Sequence, residues 1–306
     1  MTVERRRLGE SELAVSAVAL GSWKTYERIP REQGVAVLNA ARERGVDFLE
    51  VARYNDTTGR APIRTGYSEV VFGEVFRRSG WPRDEVTIAE KLWWEFWPGQ
   101  TAAQELDASL ERTGLDHVDF VYADPPPAEL PLEDVVAAVG GLLAAGKVRA
   151  WGIVNWPPAR IAEAGRIARE QGVPTPCAAQ LPYSLAQRSP VEDDDMRTAL
   201  ASCAASVAAS FVLAGGILSG KYAAGGTGRM GDELADPRFA EARRVAERLR
   251  RFADAHGTTP AALAMAFAYH SPGVATVLFG ATTPEQVDEN LRAAAVGPAL
   301  VAELLA

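Results

Sequence analysis

Histidine and cysteine are scarce in this 306-residue sequence: three of the former, His117, His256 and His270, and two of the latter, Cys177 and Cys203. They form no CxxC pair and no close histidine pair, so no structural zinc site is expected and no metal is assigned. Two isolated cysteines also give no disulfide framework, as in proteins of a reducing compartment. Positive charge is short as well. Lys and Arg total 32 against 40 Asp and Glu, a formal net charge of -8, which argues against nucleic acid as a partner. The one dense basic run, Arg5-Arg6-Arg7, reads as a solvated edge. Long apolar runs are missing: Arg, Asp or Gly cuts each window before ~18 residues, so no membrane span is expected. The first residues carry no apolar stretch of signal length, and the expectation is a cytoplasmic, soluble protein.

Hydrophobic residues make up 47% of the chain, enough for a sizeable core in one large α/β domain. Residues 5–16 read as a small hairpin, with Leu8 and Leu13-Ala14-Val15 flanking Gly9-Glu10-Ser11. From Ala17 onward, short apolar strands alternate with segments of helical spacing. Strands are expected at 17–20, 46–49, 86–91, 118–123, 148–154, 176–180, 204–209 and 275–279. The intervening helices are expected at 33–44, 68–78, 102–113, 132–145, 158–171, 195–201, 239–256, 260–269, 284–294 and 298–304. Eight units in series with no long polar linker point to a (β/α)8 TIM barrel with a short N-terminal β-hairpin, formed as one domain over 1–306. The competing open doubly wound sheet calls for a glycine fingerprint after its first strand. Leu20-Gly21-Ser22-Trp23-Lys24-Thr25 has no GxGxxG, and the barrel is preferred.

Several strands stop at a polar residue. Val86-Thr87-Ile88-Ala89-Glu90-Lys91 ends in a lysine, and Leu49-Glu50, Val121-Tyr122-Ala123-Asp124 and Gly152-Ile153-Val154-Asn155 end in further polar tips. If the strands are parallel, these tips converge at the C-terminal mouth of the barrel, where active centres of this architecture sit. The loops over that mouth would select the substrate. One carries Trp93, Trp94 and Trp97, which either form a pocket wall or pack the loop down; another, Gly225–Asp236, is glycine-containing.

These segments together resemble the aldo-keto reductase family, in particular the branch of bacterial general-stress oxidoreductases and potassium-channel beta subunits. The resemblance rests on Arg7-Leu8-Gly9 with Leu13-Ala14-Val15-Ser16, and on Gly45-Val46-Asp47-Phe48-Leu49-Glu50. It continues through Tyr67-Ser68-Glu69, Gly146-Lys147-Val148-Arg149, Gly220-Lys221-Tyr222 and Gly280-Ala281-Thr282-Thr283-Pro284-Glu285-Gln286 with Glu289-Asn290. It covers essentially the whole chain. What it implies is carbonyl reduction by NADP(H), with NAD(H) as the alternative, through an Asp, Tyr, Lys and His group. Only the lysine, Lys91, is retained. The aspartate position holds Glu50, the histidine position Asp124 and the tyrosine position Asn55, with Tyr54 one residue earlier. Tyr54, Tyr67, Asp124 and water are therefore the candidate proton donors. Two carboxylates beside one ammonium tend to raise one carboxyl pKa, and such a pair supplies an acid and a base without tyrosine.

On the cofactor side, the resemblance assigns the nicotinamide amide to Asn155 and Gln180 and a stacking ring to Tyr183. It assigns the pyrophosphate to Gly216, Leu218, Gly220 and Lys221, and the adenosine end to Gly280, Thr282, Gln286 and Asn290. Thr282 stands where many members carry the cation for a 2′-phosphate. The function expected is an NAD(P)(H)-dependent oxidoreductase acting on a carbonyl or hydroxyl of a small, sugar-like or secondary-metabolite substrate. A redox-neutral lyase, dehydratase or epimerase and a non-catalytic nucleotide-binding protein are the alternatives. A homo-oligomer is compatible with the sequence.

Overall fold

A computed structural model describes residues 3–56, 59–222 and 234–306. The chain opens with an antiparallel pair, β1 (Arg5–Arg7) and β2 (Ala14–Ser16), in which Arg6 faces Val15. The alternating series then runs β3 (Val18–Gly21), α1 (Arg31–Glu43), β4 (Phe48–Glu50), α2 (Tyr67–Ser79), β5 (Thr87–Leu92) and α3 (Ala102–Thr113). It continues through β6 (Phe120–Ala123), α4 (Leu132–Ala144), β7 (Ala150–Val154), α5 (Pro158–Gln171) and β8 (Ala178–Pro182). After these come α6 (Ser189–Glu192), α7 (Asp194–Cys203), β9 (Ser206–Ser210), α8 (Ala240–His256), α9 (Pro260–Tyr269), β10 (Val274–Phe279), α10 (Pro284–Leu291) and α11 (Pro298–Leu305). The eight strands β3 to β10 pair in parallel and close into a barrel, with β10 returning to β3 through Phe279 beside Leu20. The expected (β/α)8 barrel is what forms.

Most strands begin about two residues later than the apolar pattern suggests. Val46, Val118 and Val148 are buried but precede the first paired residue of β4, β6 and β7. They pack at the helix-to-strand connection, where burial without ladder pairing leaves the same apolar mark as a strand. The glycine-containing loop expected at Gly225–Asp236 falls largely outside the described residues.

Period-two alternation splits each strand between two cores. Inward residues, among them Ala19, Phe48, Ala89, Phe120, Tyr122 and Ala208, fill the barrel, and Leu8, Leu13 and Val15 of the hairpin pack into the same cluster from its N-terminal end. Outward residues such as Leu49, Ile88, Val121 and Ile153 meet the helix layer. Gly9 at the hairpin turn has φ +53°, and a Cβ there would lie 2.4 Å from the Cys177 carbonyl oxygen. Only glycine lets the plug sit that close to the strand ends. α3 shows how the helices are delimited. Thr101 accepts from Gln104 N–H while the Gln104 side chain accepts from Thr101 N–H, a reciprocal cap, and Gly114 closes the other end.

Among the described residues no helix is long and apolar enough to cross a membrane. No group of three or more His, Cys, Asp or Glu is placed to hold a metal ion among them either.

Candidate active site

With one end of the barrel filled, the other opens into a cleft of about 840 Å³ at the C-terminal tips of the strands. The parallel register delivers the tips in sequence: Glu50 pairs with Ala89 across β4 and β5, Lys91 with Tyr122 across β5 and β6, and Val154 with Gln180 across β7 and β8. Glu50, Lys91, Asp124, Asn155, Gln180 and Ser210 all line the cleft. Lys24, Asn155 and Phe211, all on the cleft wall, hold φ of +48°, +57° and +55°, and Trp94, Ala204 and Ala214 off it are positive as well, conformations uncommon for L side chains.

Lys91 carries its ammonium into direct contact with the carboxylate of Glu50, which is 3% exposed. It lies 3.5 Å from the Val51 carbonyl. Burial pushes the ammonium down to about 8 while the charge of Asp124 opposes the shift, and the Glu50 contact acts in the same sense as Asp124. Asp124 moves the other way. Burial raises its carboxyl to about 6; Lys91 and Arg53 pull it down, and Glu105 pushes it up. Its Oδ2 is buried without a hydrogen-bond partner. A carboxyl in that range exchanges a proton readily near neutral pH.

The tyrosines stand elsewhere. Tyr54 does not line the cleft; its Oη accepts the Lys24 N–H at 3.0 Å. The chain after β4 turns so that Ala52 and Arg53 face the cavity instead. Tyr67, at the start of α2, accepts from Arg31 at 3.2 Å and also lies off the wall. Asn55 donates to Glu95 at 2.9 Å. Of the three aromatic side chains expected over the mouth, Trp93 is on the wall, whereas Trp94 is buried and donates its indole N–H to the Asp124 carbonyl at 3.1 Å. Trp97 packs, half-buried, against the outer core.

On the opposite side, the Asn155 N–H donates to the Gln180 carbonyl at 3.0 Å, and Gln180 Oε1 is buried with no partner. Gly216 has φ +94°, and a Cβ there would come within 2.7 Å of Lys221 Nζ, so the lysine folds across a surface that must stay bare. Gly280, Thr282, Gln286 and Asn290 complete this wall. Thr282 donates its N–H and hydroxyl to Gln286 Oε1 at 2.8 and 3.1 Å. Three expected positions are off it. Leu218 is fully buried and Gly220 closes the turn behind it. Tyr183 packs on Phe267 at 4.9 Å between ring centres and donates its hydroxyl to Glu192 at 2.7 Å. Its place beside the cleft is filled by Phe211 and Ser210, and Trp23, Lys24, Arg28, Arg53 and Glu289 are further wall residues. Trp23 and Lys24 follow directly on the tip of β3, a cue the sequence does carry; Arg53 has no such cue.

The family model for the aldo/keto reductase family matches residues 17–303. The chain belongs to the aldo/keto reductase family. A probable voltage-gated potassium channel subunit beta from Oryza sativa subsp. japonica is 30% identical to it over an alignment of 328 residues, which spans 99% of this chain and 94% of that protein. Aldo/keto reductases are NAD(P)-dependent oxidoreductases, and membership supports that class here. The residues of this aldo/keto reductase fit a dinucleotide. The orphaned Gln180 Oε1 calls for a donor such as a carboxamide NH₂. The bare Gly216 surface with Lys221 against it suits a phosphate approached by backbone.

Proposed function

We propose that this aldo/keto reductase moves a hydride between nicotinamide and the carbonyl or hydroxyl carbon of a small, sugar-like or secondary-metabolite substrate, with Asp124 exchanging the proton. The whole chain is read as one domain serving this site. The observation that carries the reading is the buried, unpartnered Oδ2 of Asp124, on the same wall as an ammonium already held by Glu50.

Asn155 and Gln180 would hold the carboxamide of the nicotinamide, Gly216 and Lys221 the pyrophosphate, and Gln286 and Asn290 the adenosine end. Bound there, the dinucleotide supplies or accepts the hydride. The protein supplies the rest. In reduction, protonated Asp124 gives its proton to the developing alkoxide, and the Lys91 ammonium stabilises the negative charge on that oxygen. In oxidation, the Asp124 carboxylate takes the hydroxyl proton. Glu50 keeps Lys91 aimed at the reacting oxygen and in its charged form.

The direction of reaction therefore sets the pH dependence. Reduction needs Asp124 protonated and is expected to be fastest below about pH 6, falling as the carboxyl ionises. Oxidation needs it ionised, rises through that pH, and declines where Lys91 loses its proton, at or above about 8. The test follows NADPH and NADH absorbance against a broad carbonyl and alcohol panel, with Asp124→Asn as control. Loss of kcat by ~10²–10³ in the variant is expected for removal of a general acid. No cofactor turnover with any substrate would defeat the reading, and product formed without net cofactor consumption would replace it with redox-neutral chemistry on the same residues.

A further inference from the structure

Arg53 is an unusual residue to find just past the end of a barrel strand. Its side chain is 1% exposed, yet it belongs to the cleft wall. One arm of the guanidinium donates to Glu105 at 2.5 Å and the other to Glu95 at 3.0 Å. Each carboxylate has further duties. Glu105 accepts the backbone N–H groups of Trp93 and Trp94 at 2.6 and 3.0 Å. Glu95 accepts from Asn55 at 2.9 Å. Arg53 thus ties three segments together: its own loop, the loop after β5 that presents Trp93, and α3. Trp94, fixed by the same carboxylate, holds the Asp124 backbone through its indole N–H.

We propose that Arg53 is the positioning residue of the reacting end: it clamps the Trp93 wall against α3 and supplies, together with Lys91, the positive field that faces Asp124. The charged groups around Asp124 come from two strands, a loop and a helix. Lys91 reaches it from β5 with Glu50 behind it on β4, Arg53 from the loop after β4, and Glu105 from α3. Arg53 and Glu105 act on the Asp124 carboxyl with opposite sign, because a cation favours the carboxylate and a second carboxylate disfavours it. A role confined to holding the loop would shift Asp124 in the same direction on loss of either charge, because each loss loosens Trp94 beside the Asp124 backbone. The fork geometry separates the two parts of the proposal, since lysine keeps the charge but lacks the rigid planar fork whose arms reach Glu95 and Glu105.

The experiment uses the full-length protein and reads the Asp124 carboxyl by ¹³C NMR titration, which needs no turnover. Arg53→Gln is expected to raise the Asp124 midpoint by about half a pH unit or more and Glu105→Gln to lower it by a similar amount. Arg53→Lys is expected to leave the midpoint near that of the parent. On a substrate identified by the panel above, the same variant raises KM roughly five-fold or more as the Trp93 wall loosens. The KM result rests on the proposed reduction; the titration does not, so a protein that turns over nothing still decides the electrostatic half. If Arg53→Gln does not fold, Arg53→Met, which removes the charge and keeps most of the buried stem, takes its place in the comparison. Midpoints that stay put, or that move in the same direction in both variants, overturn the field. An unchanged KM in Arg53→Lys overturns the clamp.

Discussion

At Asp124, burial and charge pull against each other, and burial wins. A carboxyl whose folded pKa lies above its unfolded value near 3.8 adds stability only while protonated. That contribution is complete below about pH 4 and is lost as pH rises through about 6. Asp124→Asn removes the ionisation, so the variant should be more stable than the parent by about 3 kcal/mol at pH 8 and close to it near pH 4. Urea unfolding at the two pH values checks this; a variant no more stable at pH 8 would mean that Lys91 and Arg53 fully offset the desolvation. Such a gain on removing the residue assigned the proton marks a site held for chemistry at the expense of stability. That Glu50, Lys91 and Asp124 share one wall was legible in the sequence because each ends an apolar strand. The raised carboxyl of Asp124 was not, since it comes chiefly from burial, tuned by Lys91, Glu105 and Arg53, which arrive from other elements.

Loops and strands differ in how much of their placement is written locally. A strand tip inherits its direction from the period-two ladder beneath it, so Gln180 reaches the cleft as the alternation requires, whereas Asn155, one residue past β7, is turned there by its left-handed φ of +57°. Tyr183 lies one residue beyond the end of β8, after Pro182, where the ladder no longer constrains the chain, and its ring turns to Phe267. Trp93 and Trp94 show the same limit in adjacent positions. Both lie just past β5, but Trp94 takes φ +58° and goes into the core while Trp93 faces the cavity. Nothing in their shared identity separates them. Replacement should: Trp94→Ala is expected to cost about 3–5 kcal/mol, as truncation of a buried indole does. Trp93→Ala should cost under about 1 kcal/mol while raising KM for the substrate. Equal stability losses in thermal unfolding would show that Trp93 is a packing residue as well.

For the molecule as a whole, the order of elements was readable because an eight-fold alternation admits few closures, and the hairpin was readable from Leu8, Gly9 and Leu13. What that hairpin does was not, since its three apolar side chains become a core only once all eight strands surround them. Its consequence is kinetic. Among the described residues a barrel stoppered at one end is approached from the other, and two molecules that meet at the strand tips come in over the same mouth. Whichever lies nearer the strand tips enters first and is the last to depart. Product-inhibition patterns should accordingly show a compulsory order, with one reactant and its own product competing for the empty protein; random addition would mean that a second passage exists.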